Sequence, residues 1–146
     1  MGENKIIGLL DVVTRMPALE KFSCYDCGLT GPIPTTIGSM DNLKWFDLRR
    51  NEMSGSLPSE LGLCNNLEGF TVGDNDNLTG PVPTELFLLP DLEALGLYGT
   101  DLSGRIPCDV VRAATIDCGK IECSPCCIQG FDEGIIQLFV PFECPP

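Results

Sequence analysis

The chain has 146 residues, with nine basic against 21 acidic side chains, nine cysteines and no histidine. A net charge of −12 repels phosphate backbones and anionic lipid, which excludes nucleic acid and anionic membrane as general partners, and no apolar run is long enough to span a bilayer. Without histidine there is no Ser-His or Cys-His nucleophile pair and no ordinary catalytic zinc site, so neither an enzyme nor a cofactor or metal is expected.

The first segment, residues 5–17, reads KIIGLLDVVTRMP. Ile6, Leu9, Leu10, Val13 and Met16 fall at helical spacing and fit an amphipathic cap. Val13, Met16 and Leu19 also lie 24 positions before Ile37, Met40 and Leu43. The segment therefore also fits the tail of an earlier unit, and this reading is preferred, taken up as a helical turn that shields the first strand.

A repeated unit follows. The segments LTGPIP (29–34), MSGSLP (53–58), LTGPVP (78–83) and LSGRIP (102–107) are copies. Their glycines, Gly31, Gly55, Gly80 and Gly104, are spaced 24, 25 and 24 residues apart, as are Pro34, Pro58, Pro83 and Pro107. An apolar frame precedes each copy. In the first unit it is Leu19, Phe22, Cys24, Cys27 and Leu29. Cys24-x-x-Cys27 has the spacing of a redox or metal pair. However, Cys24 falls where the next unit has Leu48 and Cys27 where it has Asn51, so a structural role is preferred for both.

The second unit, Leu43–Asn65, is the clearest, above all in its stretch Leu43–Pro58. Leu43, Phe46, Leu48 and Met53 are its apolar positions, with Asn51 between them. Phe46 and Leu48 alternate on a short strand and point inward, and Asp47 between them points out. Asn51 turns the chain and hydrogen-bonds the backbone of neighbouring units. Gly55 permits a tight bend, and Pro58 fixes an extended return path. Cys64 takes the place of a leucine and is expected in the core. The third unit carries Leu67, Phe70, Val72, Asn75 and Leu78, with one extra residue within 73–77. Asn77-Leu78-Thr79 is a glycosylation sequon, although the repeat itself generates most of it. The fourth unit carries Leu92, Leu95, Leu97, Thr100 and Leu102.

After Pro107 the pattern degrades. Val110, Ala113, Ile116 and Cys118 suggest one short final unit. Cys108, Cys118, Cys123, Cys126, Cys127 and Cys144 crowd the end of the chain. That clustering points to a disulfide-stapled terminus and an oxidising compartment. The odd total leaves at least one thiol unpaired or joined to another chain. The last stretch, GFDEGIIQLFVPFECPP, is expected to fold back over the end, anchored by Cys144.

The frame L-x-x-L-x-L-x-x-N-x-L, followed by an SGxIPxxLxxL-like ending, resembles plant-type leucine-rich repeats from about Ala18 to Pro107. The resemblance implies an α/β-type repeat solenoid, right-handed, with a concave parallel sheet of about five strands and a convex side of turns and 3-10 pieces. It divides the chain into an N-terminal cap or preceding-repeat tail (1–17), the repeats (18–107), and a cysteine-rich C-terminal cap and tail (108–146). The paired-cysteine N-terminal cap typical of plant-type ectodomains is absent, and residues 1–13 make no convincing secretion signal. The chain is therefore expected to be a fragment lacking its signal and first units.

In such a solenoid, equivalent outward residues form columns across the sheet. One column is Tyr25, Arg49, Gly73 and Tyr98, with Trp45 beside it. Lys44, Arg49 and Arg50 form a positive island. Exposed Trp, Tyr and Arg are the types that dominate binding energetics. The candidate ligand contacts are Tyr25, Trp45, Asp47, Arg49, Arg50, Thr71, Asp74 and Tyr98. As a family expectation the role is recognition of a protein or peptide, or an acidic glycan, by a receptor-like or secreted module that is extracellular or at the cell surface. Two other classes fit the same resemblance: a structural or adhesive wall component, and an inhibitor of a cell-wall-degrading hydrolase of the polygalacturonase-inhibitor kind.

Overall fold

The computed structural model describes residues 8–107, 113–117, 121–124 and 135–139. The expectations placed on Ile6, Cys108, Val110, Cys118, Cys126, Cys127 and Cys144 lie outside the described residues.

A five-residue helix, α1 (Leu9–Val13), comes first. The first coil holds β1 (Lys21–Ser23), β2 (Thr30–Gly31) and a 3-10 turn at Thr35–Ser39. The second holds β3 (Trp45–Asp47), β4 (Glu52–Gly55) and a 3-10 turn at Ser59–Leu63. The third holds β5 (Gly69–Thr71), β6 (Asn75–Pro81) and a 3-10 turn at Thr84–Leu88. The fourth holds β7 (Ala94–Gly96) and β8 (Thr100–Pro107), followed by β9 (Ala113–Asp117), β10 (Ile121–Ser124) and β11 (Ile135–Phe139). One strand per coil builds a sheet ordered β1-β3-β5-β7-β9-β11. Its first five strands run parallel, and β11 closes it antiparallel to β9. This is the repeat solenoid implied by the sequence frame.

One feature differs from the sequence expectation. The side expected to consist of turns carries a second, five-stranded parallel sheet, β10-β8-β6-β4-β2, beside the three 3-10 turns. The Leu-Thr-Gly-Pro segments are extended as they leave the asparagine turn. Stacked in register, they have no better hydrogen-bond partners than each other, so they pair. The repeat glycines Gly31, Gly55, Gly80 and Gly104 take positive φ of 86°, 80°, 86° and 118° there, a region open to glycine without Cβ strain.

The core lies between these layers. Phe22, Phe46 and Phe70 are register partners on β1, β3 and β5, with ring centroids 5.5 and 6.3 Å apart. Leu43, Phe46, Leu48, Leu67, Phe70, Val72 and Leu97 are completely buried. A single coil cannot hide such a row, because its inner face is covered only by the coil above and the coil below.

A buried amide links each coil to the one before it. Asn51 Nδ2 donates to Cys24 O (2.7 Å), Leu48 O (2.8 Å) and Arg49 O (3.1 Å). Its Oδ1 accepts from the N–H groups of Cys27 (3.0 Å) and Leu29 (2.9 Å). Asn75 repeats the scheme one coil on, donating to Leu48 O and Val72 O and accepting from Met53 N–H. The residue before each asparagine, Arg50 or Asp74, is left-handed with φ 55°. Asp26 (φ 56°) and Gly99 (φ 61°) adopt the same turn in the flanking coils. In the fourth coil the Thr100 hydroxyl donates to Leu97 O at 2.6 Å.

The first coil solves this position differently. The sequence puts Cys27, in a structural role, where the other coils carry asparagine or threonine. Its sulfur is bonded to Cys24, with the two Cα atoms 5.5 Å apart. Cys24 is buried, as expected. Cys64 is fully buried beside Ile37 O, and burial pushes its thiol up to about 11.

Before the first strand, Met16 N–H bonds Val13 O and Leu19 N–H bonds Met16 O, both at 3.0 Å. The same pair of bonds recurs at Met40–Ile37 and Leu43–Met40. Leu10 and Val13 of α1 are buried against the first coil. The segment is thus both a helical turn and a continuation of the coil's hydrogen-bonding frame.

Two outcomes follow. Asn51→Ala takes the acceptor from the Cys27 and Leu29 N–H groups and a donor from the Cys24, Leu48 and Arg49 carbonyls, of which Leu48 O keeps Asn75 and Arg49 O keeps Asp26 N–H, and urea unfolding should show a loss of about 3 kcal/mol. Cys64 should resist alkylation in the folded protein and react once urea unfolds it, as read by peptide mapping.

Candidate functional site

The outer face of the six-stranded sheet is built column by column. Lys21, Trp45, Gly69 and Ala94 are register partners, as are Ser23, Asp47, Thr71 and Gly96. Past the strand ends the ladder continues through Asp26 N–H to Arg49 O (3.1 Å), Arg50 N–H to Gly73 O (2.9 Å) and Asp74 N–H to Tyr98 O (2.8 Å). This aligns Tyr25, Arg49, Gly73 and Tyr98, and next to them Asp26, Arg50, Asp74 and Gly99.

The third coil is the low point of this surface. Its outward residues, Gly69, Thr71 and Gly73, are small. A Cβ added to Gly69 would fall on the six-membered ring of Trp45. A Cβ added to Gly73 would lie 2.6 Å from Tyr98 Cε1. The indole of the second coil therefore lies over Gly69 of the third, and the phenol of the fourth over Gly73. Trp45 remains 37% exposed.

Charges fill the ground between the rings. The Arg49 guanidinium grips Asp47 with two bonds, Nε to Oδ1 at 2.9 Å and Nη2 to Oδ2 at 2.8 Å. Thr71 Oγ1 donates to Asp47 Oδ1 at 3.0 Å, and Arg49 N–H to the same oxygen at 3.1 Å. Arg49 Cζ and Arg50 Cζ lie 5.6 and 5.5 Å from the Tyr25 ring centroid, a double cation–π contact. Arg50 Nε lies 3.5 Å from Asp74 Oδ2. The Tyr98 hydroxyl interacts with both Asp74 and Arg49.

The protonation states follow from these contacts. Burial pushes the Asp47 carboxyl up, but bonds from the Arg49 side chain, the Arg49 backbone and Thr71 together outweigh it and hold the group below its ordinary value. The bond to Asp47 raises Arg49 against the effect of burial. Burial, then the Asp74 charge, raises Tyr98, with Arg49 opposing. At neutral pH the face presents one guanidinium already paired, one loosely paired, and the protonated Tyr98 phenol.

All eight candidate residues meet on this one face, but they do not share one role. Tyr25, Trp45 and Arg50 are open to solvent, and Thr71, Arg49, Asp74 and Tyr98 are half-buried. Asp47 points to this side, as the alternation of β3 implies, yet is only 5% exposed. Arg49 and Thr71 take both of its oxygens, so Asp47 positions Arg49. Lys44, expected in the positive island, donates to Glu20 at 2.8 Å. Two contributors were not among the candidates: Gly69, and Gly73, which the sequence reading set in the column without a role. Their signal was a column: two glycines on alternate outward positions of one strand, between coils that carry Trp45 and Tyr98.

Among the described residues no group of three or more His, Cys, Asp or Glu side chains is arranged to hold a metal ion. Among them, too, no helix is long and apolar enough to cross a membrane.

The leucine-rich repeat family profile matches residues 42–64. No curated protein sequence matches the chain. Several solved plant receptor structures are similar. The plant peptide hormone receptor RGFR1, in complex with RGF2, superposes with a TM-score of 0.67 at 33% identity over 71% of this chain and 18% of its own. PEPR1–AtPEP1 gives 0.68 at 32% identity over 76% of this chain and 16% of its own. The ectodomain of the membrane receptor kinase GASSHO1/SCHENGEN3 from Arabidopsis thaliana, in complex with CASPARIAN STRIP INTEGRITY FACTOR 2, gives 0.65 at 28% identity over 76% and 14%. The chain thus spans less than a fifth of each of these structures.

Two measurements probe the site. Gly69→Ala should drive Trp45 off its seat at a cost of about 1–3 kcal/mol. Because Trp45 is the single tryptophan, its emission maximum reports the displacement directly. The Asp47–Arg49 pair should contribute its full stabilisation above about pH 4, the ordinary carboxylate range. That contribution is lost as the pH falls through the depressed value of folded Asp47, because protonation ends the pairing. Asp47→Asn should flatten this part of the acid-unfolding curve.

Proposed function

We propose that this chain, a plant-type leucine-rich repeat protein, is a non-enzymatic recognition module that binds a peptide or protein segment across the outer face of its six-stranded sheet. The observation that supports this most strongly is the trough over the third coil. Trp45 and Tyr98 lie down into it over Gly69 and Gly73, with Thr71 between them, and Arg49, Arg50 and Tyr25 border it. Rigid aromatic surfaces held in this way offer a ligand area at low entropic cost.

The charge pattern favours a peptide over an acidic glycan. Arg49 is neutralised by Asp47, and Arg50 lies against Asp74. A polyanion would have to compete with carboxylates already in place. A mixed peptide can satisfy both signs and stack on the rings. The similar receptors carry ligands in the same sense: RGFR1 is a peptide hormone receptor, solved with RGF2 bound. We place this chain likewise in an extracellular or cell-surface setting, where the Cys24–Cys27 disulfide persists.

The test is a pool of synthetic secreted-type peptides titrated against the protein, read by Trp45 fluorescence and confirmed by calorimetry. A binding peptide should lose roughly 30-fold or more in affinity to Trp45→Ala combined with Arg50→Ala, the loss of at least one hot spot. Equal affinity for a double variant with an unchanged unfolding midpoint refutes this face as the site.

A further inference from the structure

We infer that Asn77 is an N-glycosylation site, and that its glycan occupies the five-stranded sheet and leaves the six-stranded sheet free for the partner. The inference rests on the extracellular setting proposed above. Four coils place the same three positions at Gly28-Leu29-Thr30, Glu52-Met53-Ser54, Asn77-Leu78-Thr79 and Asp101-Leu102-Ser103. The hydroxyl at the third position and the buried apolar residue at the second belong to the repeat. Asparagine at the first position does not, and it completes the acceptor triplet in the third coil alone.

The local structure suits the chemistry. Leu78 is fully buried while Asn77 and Thr79 are exposed. Strand alternation therefore sets the asparagine amide and the threonine hydroxyl on the same outward face of β6. The extra residue of this coil lies here too. The register of β6 against β8 breaks between Asn75, opposite Thr100, and Thr79, opposite Asp101, which leaves Asn77 outside that pairing. On the other side its register partner is Ser54, followed by Gly55. Small neighbours leave room for a first sugar.

In the transfer, Asn77 Nδ2 attacks the anomeric carbon of a polyprenyl-pyrophosphate-linked oligosaccharide. A C–N bond forms and the sugar C–O bond to pyrophosphate breaks. The lipid pyrophosphate leaves with the electron pair, and the amide proton passes to a base of the transferase. Asn77 lies two residues past the buried Asn75, where the chain has already left the face that carries Trp45 and Tyr98. A hydrated glycan there shields the second sheet.

The test expresses the full chain behind a heterologous secretion signal in eukaryotic cells and weighs the protease-protected lumenal fraction. Wild type and Thr79→Ser should be heavier by one glycan, which peptide-N-glycosidase removes, leaving aspartate at position 77. Asn77→Gln and Thr79→Ala should lack it. A lumenal wild-type chain of bare polypeptide mass overturns the site. This readout involves no ligand, so its failure is separate from that of the recognition reading. With a binding peptide in hand, glycosidase treatment should leave affinity unchanged. A gain above tenfold would put the glycan on the recognition face and overturn the second half of the inference.

Discussion

A buried carboxamide that bonds two coils at once is the constraint on which this structure depends. Each coil makes a sharp turn after its first strand and leaves backbone N–H and C=O groups facing inward. Most of them are buried, and an unpaired buried amide costs about 1–3 kcal/mol. Asn51 and Asn75 satisfy their own turn and the turn of the coil before. A coil is therefore complete only when its successor is in place. The near-constant repeat length follows, since an asparagine out of register by one residue would reach none of these groups.

The two coils without asparagine show what the position requires. Cys27 closes the first turn covalently to Cys24, and its N–H donates to Asn51 Oδ1 of the next coil. Thr100 has a shorter side chain and bonds the carbonyl of Leu97. Different chemistry meets the same demand, that the turn keep its shape with its polar groups paired. The left-handed residue before this position, φ 55–61° in all four coils, belongs to the same geometry. It swings the asparagine inward and so sends the residue two places earlier, Tyr25, Arg49, Gly73 or Tyr98, to the outer face.

The recognition surface is thus a by-product of how the turns are satisfied. Core demands set the outward positions, and local chemistry then chooses their occupants. Asp47 occupies one of them and holds Arg49 in a fixed fork. Glycines occupy two more and let rings from adjacent coils lie down over them. Both devices preorganise the face, since side chains held in place before binding lose less freedom when a partner arrives.

The repeat and the core were legible in the sequence because they rest on periodicity. Phe46, Leu48, Phe70 and Leu97 recur at the coil interval, and the hydrophobic effect acts on any chain that brings them together. The outward columns could be listed for the same reason. Four matters were decided only by the tertiary structure: the second sheet, the Cys24–Cys27 bond, the burial of Asp47 and the seating of Trp45 on Gly69. Each depends on distances between residues that the period aligns but does not measure. A period says which residues are neighbours. Whether neighbours pair, bond or cover one another depends on side-chain direction and room, and those exist only once the coils are stacked.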